Sequence, residues 1–385
     1  MNNFFITNFE DRQQFSKHSF TQHLNYKIYY NDNCKLYHED NLLVLFVGVE
    51  FTGKNIIENY KLHGDNIFKV IEGEYSLVIF DKDRILLGSD IFGARPFYFY
   101  KHIDNISISD SYCVLKKSYR IYENTYVIFK NNNTYINEAY VFDLEEKKDN
   151  INDWENALYK SIQKRIKVKP SLMLSDGIDS GAIACALLNK NIPFSTFSLL
   201  HSDNYNNELF EKRCALHNCT FINESELKDS IALNYDRVAT KFNKRLDSFQ
   251  EVGCTPENIS IRLMDFIKEK SEHLIISGCG ASFTDVNINN LYKRVNNVRG
   301  INYDNPILLQ NICYLYNKDT RFVLLDKDLI QEMLWLRKDI YKQYKQPAIE
   351  FMDKYNYPYY VTEERDFNKY KTIPRRGLIN RNDYI

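Results

Sequence analysis

The chain has 385 residues, 44% of them hydrophobic, with 50 Lys plus Arg against 51 Asp plus Glu. That length exceeds what one core organises, so two domains are expected, and the apolar share excludes a disordered chain. Balanced charge leaves no basic field for a nucleic-acid backbone, and no apolar run of roughly 18 residues is present to cross a bilayer.

From the N-terminus, Met1–Asp11 lacks a basic region followed by an apolar run, so no signal peptide is expected. Residues 1–140 read as strands and turns. Leu42–Val49 is a continuous apolar run of strand length, and a helix is expected over Lys54–His63. Tyr75–Phe80 and Arg84–Ser89 flank an Asp-Lys-Asp turn, a hairpin signal. Further strands are expected at Pro96–Lys101, Ile106–Asp110 and Tyr126–Lys130, with a turn at Asn131–Asn133.

The charged segment Asp143–Asp153 marks a boundary between domains 1–148 and 149–385. Asp153 is expected to cap a helix from Trp154 towards Ile166. Strands and helices then alternate: Ser171–Leu174, helix Gly181–Leu188, Phe194–Leu200, helix Asn206–His217, Thr220–Ile222, helix Pro256–Lys270 and Leu274–Ile276. This pattern argues a parallel sheet covered by helices. Asp326–Leu336 and Gln346–Lys354 read as helices, followed by a polar tail from Thr362. The basic runs at 164–169 and 373–376 read as solvated faces. The eight cysteines contain no Cys-x-x-Cys, and Cys214 with Cys219 lacks a second pair for zinc. Free thiols in a reducing cytoplasm are the expectation.

The segment richest in chemistry is Ser171-Leu-Met-Leu-Ser175-Asp-Gly-Ile-Asp-Ser-Gly181. A strand ends, a small polar loop turns and a helix begins, which aims backbone N–H groups and the positive end of a helix dipole at one point. Gly177 permits close approach, Ser175 and Ser180 offer hydroxyls, and Asp179 suits a phosphate-bound Mg²⁺. The same residues also suit an ordinary strand-to-helix turn with Ser and Asp as caps.

This segment resembles the pyrophosphatase loop, usually Ser-Gly-Gly-x-Asp-Ser, of enzymes that cleave ATP to AMP and pyrophosphate. Asp176 replaces the first Gly of the pair. Gly73–Asp81 and Gly88–Tyr98 are similar to the glutaminase domain of the asparagine synthetase-like family, including its Arg-Asp-x-x-Gly-x-x-Pro block. Ile276–Ser282 and Phe322–Asp326 resemble its Leu-Ser-Gly-Glu-Gly-Ala-Asp-Glu and Pro-Phe-Leu-Asp segments. The resemblance spans about residues 40 to 370. It implies an N-terminal Ntn-type αββα sandwich followed by a Rossmann-like parallel-sheet ATP-pyrophosphatase domain with a helical C-terminal part.

On that resemblance ATP and Mg²⁺ are the expected cofactors, with Asp179 as metal residue. Leu174, Ser175, Asp176, Gly177, Ile178, Asp179, Ser180, Ser198, Ser277 and Gly278 are the expected ATP-binding residues. Several positions depart from the family. Asn2 stands where the glutaminase nucleophile Cys belongs, so no glutamine hydrolysis in cis is expected. β-Lactam synthetases and lasso-peptide cyclases diverge in this style. Cys279 replaces a Glu, Ser282 and Phe283 replace Asp and Glu, and Asp285 is a candidate displaced carboxylate. Glu364 stands where the family has a charge-stabilising Lys, leaving Arg365, Lys369 and Lys371 as candidates, each by default a surface charge.

The implied activity is an AMP-forming carbon–nitrogen ligase joining a small-molecule or peptide carboxylate to an amine or ammonia. The catalytic candidates are Asp179, Cys279, Asp285, Arg365, Lys369 and Lys371. The alternative is a degenerate homologue that binds nucleotide and serves a protein partner. Self-association is a further possibility left open.

Overall fold

The structure is a computed structural model that describes residues 4–9, 19–53, 55–95, 98–102, 105–110, 119–121, 124–200, 207–223, 263–264, 266–279, 309–310, 312–313, 316–337 and 345–359. The chain divides into two compact units, with the change between Phe142 and Asp143.

The first unit contains β1 (Phe4–Thr7), β2 (Ser19–His23), β3 (Tyr26–Tyr30), β4 (Cys34–Glu39), β5 (Leu42–Glu50), α1 (Ile56–His63), the single turn α2 (Ile67–Val70), β6 (Gly73–Asp81), β7 (Arg84–Ser89), β8 (Tyr98–His102), β9 (Asn105–Ser109), β10 (Tyr119–Arg120), β11 (Thr125–Lys130) and β12 (Asn133–Glu138). They form two antiparallel sheets ordered β10-β8-β9-β1-β3-β2 and β12-β11-β7-β6-β5-β4. The apolar run of β5 is explained by burial on both faces. Leu43, Leu45 and Val47 pack with Phe4, Ile6 and Ile28 of the other sheet. Leu42, Val44 and Phe46 pack with Ile56, Tyr60, Ile67 and Phe68 of the helices. A strand covered twice has no polar face to show, so its sequence does not alternate. Among the described residues, helices cover one outer face of this sandwich.

Turn chemistry fixes the registers. Lys82 takes φ 54° between β6 and β7, and Asn131 and Asn132 take φ 49° and 61° between β11 and β12. Two successive left-handed residues make the tight turn whose twist matches its strands, and Asn tolerates that conformation. The Gly88–Tyr98 block is organised by the buried carboxylate of Asp90. It accepts N–H groups from Tyr75, Phe92, Ala94 and Arg95 at 3.1–3.3 Å. Burial pushes Asp90 up to about 7, against the pull of those N–H donors.

The second unit contains α3 (Asn152–Arg165), β13 (Pro170–Met173), α4 (Ile178–Asn189), β14 (Ser195–Leu200), α5 (Asn207–Leu216), β15 (Cys219–Asn223), β16 (Leu274–Ser277), β17 (Asp319–Arg321), α6 (Lys327–Leu334) and α7 (Gln346–Lys354). Its five strands are all parallel, in the order β15-β14-β13-β16-β17. α6 packs on α3 and α7 on α4. α4 is buried almost all round, from Ile178 to Leu187, as a helix between a sheet and another helix must be. It begins at Ile178, three residues before the expected start, because Gly177 ends the loop. Asp153 does not cap α3. It lies inside the first turn and pairs with Lys148 at 2.6 Å, while the Asn150 side chain accepts the N–H of Asn152.

The charged segment before α3 belongs to the second unit. Asp143 exchanges hydrogen bonds with the Gln331 side chain and accepts Trp335 Nε1–H at 3.0 Å. The N–H groups of Lys147 and Lys148 both donate to the carbonyl of Trp335. The family-like Phe322–Asp326 stretch ends in a buried ionic junction. Asp326 caps α6, accepting from the N–H groups of Asp328 and Leu329, and pairs with Arg165 at 2.7 Å and Lys164 at 3.3 Å. Burial acts to raise this carboxyl, but the charges of Arg165 and Lys164 outweigh it and hold the group below its usual range. Among the described residues no helix is long and apolar enough to cross a membrane.

Both tryptophans, Trp154 and Trp335, lie in the second unit, so indole fluorescence follows its unfolding. Asp326→Ala leaves a buried Arg165 without its carboxylate and α6 without its cap. We expect a loss of about 3–5 kcal/mol in guanidinium unfolding followed by that fluorescence. A loss below about 1 kcal/mol contradicts the junction.

Candidate functional site

An open parallel sheet carries its ligand crevice at the carboxyl ends of the strands, where the strand order reverses. Here the chain runs outwards from β13 through β14 to β15, then returns to the other side of β13 as β16. The reversal lies between β13 and β16. The loops that leave those two strands are Leu174–Gly177 and the turn at Gly278-Cys279.

The first loop is closed by its own hydroxyls. Ser180 Oγ accepts the N–H of Ser175 at 3.1 Å and lies 2.9 Å from Ser175 Oγ. Ser175 Oγ accepts the N–H of Gly177 at 3.1 Å. Leu174 N–H donates to the carbonyl of Phe197, which holds the loop level with Ser198 on β14. Ser198 is fully buried, and its hydroxyl has no partner among the described residues. Opposite, Ser277 ends β16 in register with Met173 and accepts the N–H of Cys279 at 3.2 Å. Gly278 is packed onto the first turn of α4. A methyl group there would stand 2.9 Å from Ser180 N and 3.0 Å from Asp179 Cβ. Only glycine lets the two strand ends close on each other so tightly. Leu174 to Ser180, Ser198, Ser277 and Gly278 are therefore gathered at one end of the sheet.

Two basic residues that the sequence did not single out reach this place. Lys345 is buried, in the left-handed conformation at φ 54°, and its ammonium pairs with the carboxylate of Asp179. It sits immediately before α7, whose first residues are Gln346 and Pro347. Arg213 on α5 is fully buried beneath the loop. It donates to the carbonyls of Ser175, Gly177 and, at 3.0 Å, Pro358, and lies over the Tyr357 ring. Gly181 makes room for it, since a Cβ there would meet Arg213 Nη2 at 2.6 Å. A lysine two residues before a Pro that opens a helix was the available clue to Lys345.

Cys279, a catalytic candidate that could serve as a base only if its thiol were acidified, lies near Asp179. Burial pushes it up, the Ser277 hydroxyl opposes this and the negative charge of Asp179 adds to it. A thiol so placed is protonated near neutral pH and is a poor base. Asp285, Arg365, Lys369 and Lys371 lie outside the described residues. Among the described residues no group of three His, Cys, Asp or Glu is placed to hold a metal ion.

No family model matches the chain, and no curated protein matches it. Among solved structures, it is similar to glutamine phosphoribosylpyrophosphate amidotransferase from B. subtilis complexed with ADP and GMP. The identity is 11%, over 49% of this chain and 56% of that one, with a TM-score of 0.25. A structure of the allosteric regulatory enzyme of purine biosynthesis also matches, at 11% identity over 48% of this chain and 53% of that one, TM-score 0.25. The chain thus spans about half the length of these structures, and a likeness at that TM-score carries no argument about the fold or activity of this chain.

His217, at the end of α5, reports on the floor of the site. Its Nε2 lies 3.0 Å from Tyr357 Oη, and burial first, then the charge of Arg213, pushes it down to about 4. A histidine lowered on folding stabilises the fold above its usual 6.5, and that contribution is lost as pH falls from 6.5 through 4. The melting temperature of the second unit is expected to drop over that window. His217→Gln should flatten the drop, and an unchanged slope in the variant contradicts the assignment.

Proposed function

We propose that the head of the parallel sheet binds the polyphosphate of ATP and that the chain is an AMP-forming carbon–nitrogen ligase. The observation that carries this reading is the buried Lys345 ammonium held at the N-terminal turn of α4. Helix N-termini attract anions, and a buried lysine there, paired with Asp179 in the structure, adds to the pull on an anion that binds beside it. The family resemblance of residues 175–180 points to the same chemistry.

In this reading the N–H groups of the first turn of α4 receive phosphate oxygens, while those of Ser175 and Gly177 stay with the loop's own hydroxyls. Lys345 takes the role for which Arg365, Lys369 and Lys371 were candidates, offsetting negative charge on phosphate as the bond to pyrophosphate breaks. Asp179 supplies one carboxylate, which suits a Mg²⁺ held mainly by phosphates and water, and such an ion screens the charge of the triphosphate. The substrate carboxylate attacks the α-phosphorus, pyrophosphate leaves, and an amine or ammonia then displaces AMP from the acyl group. Cys279 is not assigned as the base that deprotonates the amine.

The replacements at Asp176, Cys279, Ser282 and Glu364 support a second reading, a nucleotide-binding protein without ligase activity. Pyrophosphate exchange into Mg·ATP, measured with a panel of carboxylic acids that includes aspartate, separates the two. A ligase exchanges label with one of the acids, and Lys345→Met is expected to slow that exchange about 100-fold or more. ATP binding with no exchange for any acid supports the second reading. No ATP binding overturns both.

A further inference from the structure

Asp176 places a carboxylate in the loop where the resemblance leads one to expect glycine, beside the anion that the site is read as binding. Beneath the same loop lies the fully buried guanidinium of Arg213. We propose that Arg213 is a positioning residue for a polyphosphate ligand: it turns the carbonyls of Ser175 and Gly177 inward, and its charge offsets that of Asp176. This rests on the reading of the site as a nucleotide site.

The geometry supports both parts. An arginine fork can hold two carbonyls of one loop at once, and Arg213 reaches Ser175 and Gly177 while Nε is fixed on Pro358 at 3.0 Å. With those carbonyls held below, the loop keeps acceptor oxygens away from the face where a phosphate would sit. The small residue required at Gly181 shows that the guanidinium has been given a fixed place. Asp176 lies between the two residues whose carbonyls Arg213 holds, and while burial lowers the Arg213 pKa, Tyr357 and then Asp176 act to raise it. A buried positive charge in a low-dielectric floor acts on a polyanion more strongly than an exposed one. Asp176 is exposed, so water screens its repulsion of the ligand more than it screens the attraction of Arg213.

The test is a double-mutant cycle on ATP affinity in the full chain, by calorimetry with Mg·ATP and separately with pyrophosphate. Arg213→Gln is expected to weaken both at least tenfold. In the Asp176→Asn background the same change should cost a clearly different factor, by about threefold or more, because the two charges interact. Arg213→Lys keeps the charge but cannot bridge both carbonyls, and is expected to fall between wild type and Arg213→Gln. Circular dichroism and melting confirm that each variant is folded. If Arg213→Gln is unfolded, the cycle is run with Arg213→Met, which also removes the charge, with the same coupling expected. Folded Arg213 variants with unchanged affinity, or strictly additive effects with Asp176→Asn, overturn the assignment and leave nucleotide binding standing. A wild-type chain that binds neither probe removes the reading of the site and this inference together.

Discussion

The ion pair between Lys345 and Asp179 is the contact on which the second unit's candidate site turns. A buried ammonium is costly to desolvate, and the N-terminal end of α4 is electrostatically hostile to it. Asp179 offsets that cost from the first turn of the same helix. The pair also joins α4 to the start of α7, elements far apart in the chain that pack against each other. Lys345 adopts a left-handed backbone conformation, φ 54°, that non-glycine residues seldom take.

The parallel sheet supplies the frame. Its strand order opens a crevice between β13 and β16, and the glycine at 278 lets the end of β16 touch the start of α4. The loop between β13 and α4 is then fixed three times: by the Ser175–Ser180 hydroxyl contacts, by Arg213 from below and by Gly278 from the side. Preorganisation of this kind lets a loop bind an anion without first losing conformational freedom. The first unit buries Glu74, Asp90 and Arg95 together, with Arg95 Nε donating to the Glu74 carbonyl at 3.1 Å. Its most constrained point, the Asp90 turn, spends its carboxylate on main-chain N–H groups and so serves the fold.

The parts of this arrangement written in local sequence were legible. The strand, polar loop and apolar helix at 170–189 have the spacing of a strand-to-helix phosphate turn, and α6 announces itself by Asp326 before an amphipathic run. The double-left-handed Asn turn and the Asp-Lys-Asp hairpin were equally plain. What could not be read depends on partners distant in sequence. β1 to β4 mix aromatic and polar residues without a clean period, because their neighbours in the sheets decide which faces are covered. β12 is a polar edge strand defined by its pairing to β11. β17 is three residues long, too short to show a pattern. Asp153 looked like a cap because Asp favours that position, yet a nearby lysine claims it. Lys345 and Arg213 read as two among fifty basic residues until the fold placed them under one loop.

The most direct measurement is amide hydrogen exchange by mass spectrometry on the full chain, with and without Mg·ATP. Binding at the head of the parallel sheet requires slowed exchange in the peptides covering 174–181 and 277–279, with the first unit unchanged. ATP that binds while those peptides exchange as before, or that protects only residues of the first unit, contradicts the placement of the nucleotide at the loop before α4.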